Sequence, residues 1–162
     1  MANICSFSMV VRGKESDIET FLDMMQQNGT VYMGRGAEIY DSEICEVDEE
    51  ISRCDISGET KWSILSSLVD DAISMREDVG GWYFGNVDKT KLTFVTLFEA
   101  CKQLNLDMEC YSEEPGCEFQ EHYLFKDGKL LKEECVDYKE FYDEEEEDYI
   151  SEGGFESWDF SI

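Results

Sequence analysis

The sequence has little positive charge, one proline and one histidine. Its 162 residues include 13 lysines and arginines against 39 aspartates and glutamates, which gives a formal net charge of −26 at pH 7. This balance disfavours direct binding to DNA, RNA or an anionic membrane, because each is a polyanion that the chain would repel. We therefore expect a basic protein as the partner, and neither nucleic acid nor a membrane.

Long apolar runs and export signals are also lacking. No stretch approaches the ~18 apolar residues of a membrane span, and residues 1–7 carry neither a basic nor an extended apolar segment. The seven cysteines are odd in number and form no Cys-x-x-Cys motif. Reduced thiols in a cytoplasm are therefore expected.

The composition nevertheless predicts a folded chain. Hydrophobic residues make up 42% and aromatic residues 13% of the sequence, which is too rich for a disordered acidic protein. A globule of this mass is expected to expose roughly 8,300 Å² of the roughly 27,000 Å² of its unfolded chain. One domain, or one domain with a tail, fits this length.

Apolar periodicity predicts three helices. Ser16 and Glu19 have the spacing of a capping box, and the helix that follows is expected to end at Asn28-Gly29. Helical spacing recurs from about Ser63 to Glu77 and from about Thr93 to Leu104. Gly80-Gly81 is expected to interrupt the chain between these two helices.

The remaining segments predict strands. Residues 4–12, 106–111 and 119–125 have extended character, and residues 30–62 favour two to four short strands. Asp127-Gly128 predicts a type I′ hairpin turn before a last strand over about 129–138. Strands around a few helices without βαβ repetition indicate an α+β fold with an antiparallel sheet covered on one face by helices.

The chain changes character after Tyr138. We predict an α+β domain over 1–138 and an acidic C-terminal segment over 139–162. That segment ends on Phe155, Trp158 and Phe160, which a fully solvated tail would expose. We expect this end to dock on the body of the protein or on a partner.

No motif indicates catalysis or a cofactor. The single histidine, His122, is expected at the surface or on an edge strand, and the cysteine spacings match no zinc or iron–sulfur pattern. Gly34-Arg35-Gly36 is too short for a dinucleotide motif, and the acidic run lacks the spacing of an EF-hand. We predict no enzyme, no cofactor, no metal and no catalytic residue. A buried position is expected for two groups of residues: the aromatic Trp62, Trp82, Tyr83 and Phe84, and the methionines Met24, Met25, Met33 and Met75.

The negative charge is concentrated in two segments. Residues 133–162 carry 13 acids and one base, and residues 38–59 carry nine acids and one base, so they supply −12 and −8 of the net charge. Twenty-six charges equal those of roughly 44 Å of duplex DNA, and a globule of this length is about 40 Å across. The charge density approaches that of DNA only if the two segments lie side by side. The predicted partner-binding residues are Asp143, Glu144, Glu145, Glu146, Glu147 and Asp148, supported by Glu46, Asp48, Glu49 and Glu50.

Three stretches suggest a family. Residues 1–6 lead into a strand, a glycine and a helix; Thr60-Lys61-Trp62-Ser63 precedes the second helix; and residues 111–119 have a Tyr, acid, Gly, Phe order. Together they resemble the YubB-type ferredoxin-like proteins of phages, plasmids and mobile elements over most of residues 1–131. The acidic segment after residue 139 departs from that pattern. The resemblance implies a ferredoxin-like antiparallel sheet, a location inside a bacterial host cell and no assigned activity.

Charge and resemblance together predict a function. The first hypothesis is a counter-defence inhibitor (anti-CRISPR or anti-restriction) that occupies the basic groove of a CRISPR or restriction nuclease as a DNA mimic. The alternative is a ferredoxin-like interaction domain that binds another cytoplasmic protein through its sheet, with the acids only making the chain soluble.

Overall fold

The computed structural model describes residues 3–77 and 91–162. These residues form a mixed α+β structure of nine strands, three α-helices and one π-helix. In chain order the elements are β1 (Ile4–Gly13), α1 (Glu15–Met25), β2 (Val31–Met33), β3 (Glu38–Glu46), β4 (Ser52–Lys61), the π-helix (Ser66–Asp70), α2 (Asp71–Glu77), β5 (Thr93–Val95), α3 (Leu97–Gln103), β6 (Asp107–Glu114), β7 (Phe119–Lys126), β8 (Lys129–Asp143) and β9 (Asp148–Gly153).

Seven strands form one antiparallel sheet in the order β3-β4-β1-β6-β7-β8-β9. In its centre, Met9 of β1 lies opposite Ile56 of β4 and Cys110 of β6. The short strands β2 and β5 form a separate parallel pair. The predicted α+β class with a large antiparallel sheet is therefore confirmed.

The hydrophobic core lies between one face of this sheet and the helices. Alternate residues of β1, such as Phe7 and Met9, are buried in one cluster with Ile18 of α1, Leu68 of the π-helix and Leu97 of α3. Because successive side chains of a strand point to opposite faces, this cluster identifies the helix-covered face. The predicted burial of the methionines is confirmed for all four: Met24, Met25, Met33 and Met75.

Several local predictions were wrong. Helix α1 starts at Glu15 with Lys14 as its N-cap and no side-chain capping bond, so Ser16 lies inside the helix. Residues 93–95 form β5 instead of the first turn of a helix; Thr96 then caps α3 by accepting a hydrogen bond from the Glu99 amide.

The second predicted helix contains a π-helical turn over Ser66–Asp70. The Ser67 carbonyl oxygen accepts a hydrogen bond from the Arg35 amide at 2.9 Å. Gly34 packs so closely that a Cβ there would lie 2.4 Å from the same oxygen. A tertiary contact therefore uses a carbonyl that a regular α-helix would direct to its own backbone.

The Asp127-Gly128 turn is confirmed, with φ values of 53° and 74°. After this turn, β8 extends to Asp143, so the predicted boundary between residues 138 and 139 lies within a strand. Trp62 is 43% exposed, contrary to its expected burial. Gly80-Gly81 and Trp82-Tyr83-Phe84 lie outside the described residues. Among the helices that the structure describes, none is long and apolar enough to cross a bilayer.

The seven cysteines differ in accessibility, which predicts a thiol titration. Cys45, Cys117 and Cys135 are exposed, whereas Cys5, Cys54, Cys101 and Cys110 are buried. Burial raises the pKa of Cys5 to about 12 and that of Cys54 to about 11, which removes the reactive thiolate at neutral pH. We expect Ellman's reagent to react rapidly with three thiols of the native protein and with all seven in denaturant. Rapid reaction of a fourth thiol would contradict the packing.

Candidate functional site

Most of the predicted acidic C-terminal segment, 139–162, forms a β-hairpin. Residues 138–143 of β8 pair with residues 148–153 of β9, and Glu144–Glu147 form the turn. The last pair between β7 and β8 joins Phe119 to Asp137, so the hairpin continues past the end of its neighbour. We call residues 138–153 the acidic hairpin.

The tip of the acidic hairpin is ordered by its own first residue. An Asp143 carboxylate oxygen accepts hydrogen bonds from the amides of Glu145, at 2.8 Å, and Glu146, at 3.4 Å. Residues 144–148 are exposed to solvent. The turn therefore presents consecutive carboxylates on a defined backbone.

The second group of predicted residues lies at the turn between β3 and β4. Glu46 ends β3, and Asp48 accepts hydrogen bonds at 2.8 Å from the amides of Glu50 and Ile51. These two bonds lower the pKa of Asp48. Glu46, Asp48, Glu49 and Glu50 are all exposed.

The structure does not bring these two groups together. β3 and β8 are separated by four strands, which places them roughly 24 Å apart across the sheet. The β3–β4 turn lies at the same end of the sheet as the first residue of β8. Strand β8 then runs for 15 residues, roughly 45–50 Å of extended chain, to the opposite end, where the acidic tip begins. The two acidic turns therefore occupy diagonally opposite corners.

None of the ten predicted residues takes part in an ion pair within the described parts of the chain. There the arginine ion pairs are Arg35–Asp71, Arg53–Asp55 and Arg76–Glu99. No three His, Cys, Asp or Glu side chains among residues 3–77 and 91–162 are grouped so that they could hold a metal ion. The carboxylates of the two turns are thus available to an external cation.

Three exposed aromatic residues beside the acidic tip were missed from the sequence. Phe141, Tyr142 and Tyr149 are 40%, 53% and 68% exposed. The signal that could have revealed them is the near-symmetric order of residues 141–150: Phe-Tyr-Asp precedes the four glutamates and Asp-Tyr-Ile follows them. Such flanking apolar positions are typical of two strands joined by a polar turn.

The C-terminal residues 155–162, here called the strap, cross the sheet face opposite the helices. Tyr111 of β6 contacts three strap rings, with Phe155, Trp158 and Phe160 at centroid distances of 5.7, 5.7 and 5.3 Å. Arg53 of β4 donates a 2.6 Å hydrogen bond to the Ile162 carbonyl oxygen. The C-terminal aromatic residues were expected to dock on the body of the protein or on a partner, and in the structure they dock on the body.

Beneath the strap lies a buried polar pair. His122 of β7 is 4% exposed and its Nε2 lies 2.7 Å from a carboxylate oxygen of Glu109, which is 1% exposed. The His122 ring stacks on Tyr111 at 4.1 Å, and the Ser161 amide and hydroxyl donate to the other Glu109 oxygen. The expectation of a surface or edge histidine was wrong, because the strap and the central position of β7 bury it.

The strap predicts a change in histidine reactivity. Replacing Trp158 with alanine removes a ring stacked on Tyr111, and we expect His122 to become several times more reactive toward diethyl pyrocarbonate. The free energy of unfolding should fall by about 2 kcal/mol. Mass spectrometry of the modified protein and urea unfolding measure both effects. The control is the same replacement at Trp62, which directly follows β4 and is half exposed. Equal histidine labelling in the two variants would contradict a covering role for the strap.

No family model, curated protein or solved structure matches this chain.

Proposed function

We propose that this chain is a non-enzymatic acidic binding protein that occupies the basic nucleic-acid-binding surface of another protein as a DNA mimic. The observation that carries the proposal is the acidic tip: consecutive exposed carboxylates on an ordered turn, without an ion-pair partner among the described residues. A surface of this kind attracts arginines and lysines that otherwise contact phosphates.

The local charge density supports mimicry without the second acidic turn. Asp143 and Asp148 are directly paired across the hairpin, and the four glutamates connect them. Six charges equal those of roughly 10 Å of duplex DNA, and a turn of this size spans a comparable distance. The tip therefore approaches the charge density of DNA by itself, although the β3–β4 turn lies far away.

The strand order supports a ferredoxin-like arrangement over the part of the chain from β1 to β6, residues 4–114. The order β6-β1-β4-β3, with α1 between β1 and β3 and the other helices between β4 and β6, is that of a split βαβ arrangement. Strands β7, β8 and β9 extend this sheet at the β6 edge. On the resemblance to YubB-type proteins, we propose a counter-defence role in a bacterial host cell, with a CRISPR or restriction nuclease as the partner.

The alternative, binding another protein through the sheet, finds the middle of the sheet occupied. The helices cover the core face, and the strap covers Glu109, Tyr111 and His122 on the other. The sheet surface left for such a partner is exposed at Asp55 and Ser57 of β4 and over residues 129–135 of β8, besides the edge strands β3 and β9.

The experiment is a capture of partners from bacterial lysates that contain CRISPR or restriction nucleases, followed by a cleavage assay at 50 and 200 mM salt. We expect a nuclease to be retained, duplex DNA to compete with the protein for it, and inhibition to weaken at least tenfold at the higher salt. A partner without a basic groove, bound equally well at both salt concentrations and indifferent to DNA, would contradict the proposal.

A further inference from the structure

One face of the acidic hairpin carries two neighbouring tyrosines. Tyr142 lies directly opposite Tyr149, and their rings make an edge-to-face contact with centroids 5.4 Å apart and planes at 71°. Their exposures of 53% and 68% leave much of both rings open to solvent. Among the described residues, neither ring contacts another aromatic side chain.

Among the residues of the acidic hairpin, the charges on this tyrosine face and at its border with the tip are all negative. Glu140, opposite Ser151, shares the face on the side of the hairpin base, and the acidic tip borders it on the other side. Residues at alternate positions point to opposite faces, so Lys139 belongs to the other face. The two rings therefore lie between carboxylates, and the hairpin itself places no cation on this face.

We propose that the tyrosine face docks an arginine side chain of the partner protein. A guanidinium group is planar, stacks on aromatic rings and donates two parallel hydrogen bonds to one carboxylate, which suits rings bordered by acids. A lysine ammonium is more strongly hydrated and offers no planar surface for stacking. A second copy of this chain does not fit, because it brings another −26 charges.

This inference rests on the proposed function and names the partner chemistry that the hairpin selects. Acidic residues alone attract arginine and lysine similarly through their charge. The tyrosine pair adds a preference of about two- to fivefold, the value for one guanidinium stacked on one exposed ring.

The test uses the full chain and two fluorescent probes of equal charge, deca-arginine and deca-lysine, at moderate salt. We expect deca-arginine to bind about fivefold more tightly. The double variant Tyr142→Leu/Tyr149→Leu should lose this preference, whereas Tyr142→Phe/Tyr149→Phe should keep it because the ring faces remain. Tyr40→Leu is the matched control, since Tyr40 is 61% exposed on edge strand β3, near Glu38 and Glu59.

Each outcome decides between the two levels of the proposal. Salt-sensitive binding of both peptides with equal affinity would overturn the arginine inference and leave the acidic-binding function standing. A preference that survives the double leucine variant, or that Tyr40→Leu removes equally, would also overturn it. If neither peptide binds, the inference and the proposed function fall together.

Discussion

Replacing Glu121 with glutamine should lower the free energy of unfolding by about 2–4 kcal/mol. This carboxylate is 2% exposed and receives five hydrogen bonds. Two come from the amides of Ile64 and Leu65 at 2.8 and 3.2 Å, and three from side chains: the Ser112 hydroxyl at 2.8 Å, the Tyr123 hydroxyl at 2.5 Å and the Cys5 thiol at 3.8 Å. A glutamine of the same size would place an amide nitrogen against these donors. It would also remove the negative charge beside Ile64 and Leu65, at the start of the helix that leads into the π-helix, where the backbone amides favour an anion.

Urea unfolding followed by circular dichroism measures this effect. Glu133→Gln is the matched control, because Glu133 lies opposite Tyr123 on the neighbouring strand β8 but is exposed. We expect it to change stability by less than about 0.5 kcal/mol. If the two variants unfold at the same urea concentration, Glu121 does not join the helical segment to the sheet as the structure indicates.

The central strands of the large sheet could be predicted from the sequence because burial on one face leaves a period of two in the chain. In β1, Phe7, Met9 and Val11 are all buried in the core cluster, and the predicted strand over 4–12 corresponds to Ile4–Gly13. The Asp127-Gly128 turn was equally visible, because its positive φ values demand particular residues.

Features that depend on distant contacts could not be predicted in this way. The π-helix accommodates a bond from the Arg35 amide to the Ser67 carbonyl oxygen, between residues 32 positions apart in the chain. The burial of His122 depends on the strap, and the carboxylate that holds it, Glu109, also binds Ser161, 52 positions away. Nothing in the local pattern around either site contains this information.

Nine of the ten acidic residues are exposed and Asp143 is half-buried, which is typical of runs of like charge. The spatial arrangement of these residues could not be predicted from the sequence, because it depends on the order of the strands in the sheet. With β3 and β9 at opposite edges of the sheet, the acidic hairpin and the β3–β4 turn cannot lie side by side. The run at 143–148 was assigned to an acidic C-terminal segment, and the strands on both sides of it were missed because its charge concealed their pattern.

Replacing Glu144, Glu145, Glu146 and Glu147 with glutamine should weaken inhibition of the partner nuclease roughly 30- to 700-fold. Each charge that faces the basic groove contributes about 0.5–1 kcal/mol to the binding free energy, so four charges contribute about 2–4 kcal/mol. Glutamine keeps the size of the side chains. The hydrogen bonds that order the turn run from backbone amides to the Asp143 carboxylate, which is unchanged. We expect the melting temperature to stay the same or to rise, because repulsion between neighbouring carboxylates is relieved.

The control removes the same number of charges elsewhere: Glu19→Gln, Asp23→Asn, Glu77→Gln and Glu118→Gln, four exposed acids outside the acidic hairpin. Cleavage assays at 50 and 200 mM salt with both variants separate local from global charge. Under the DNA-mimic proposal the hairpin variant loses most of its inhibition and most of the salt dependence, whereas the control loses less than about fivefold, in line with its reduced long-range attraction. Equal losses in the two variants would mean that net charge alone attracts the partner, and the tip would then have no role as a surrogate for DNA.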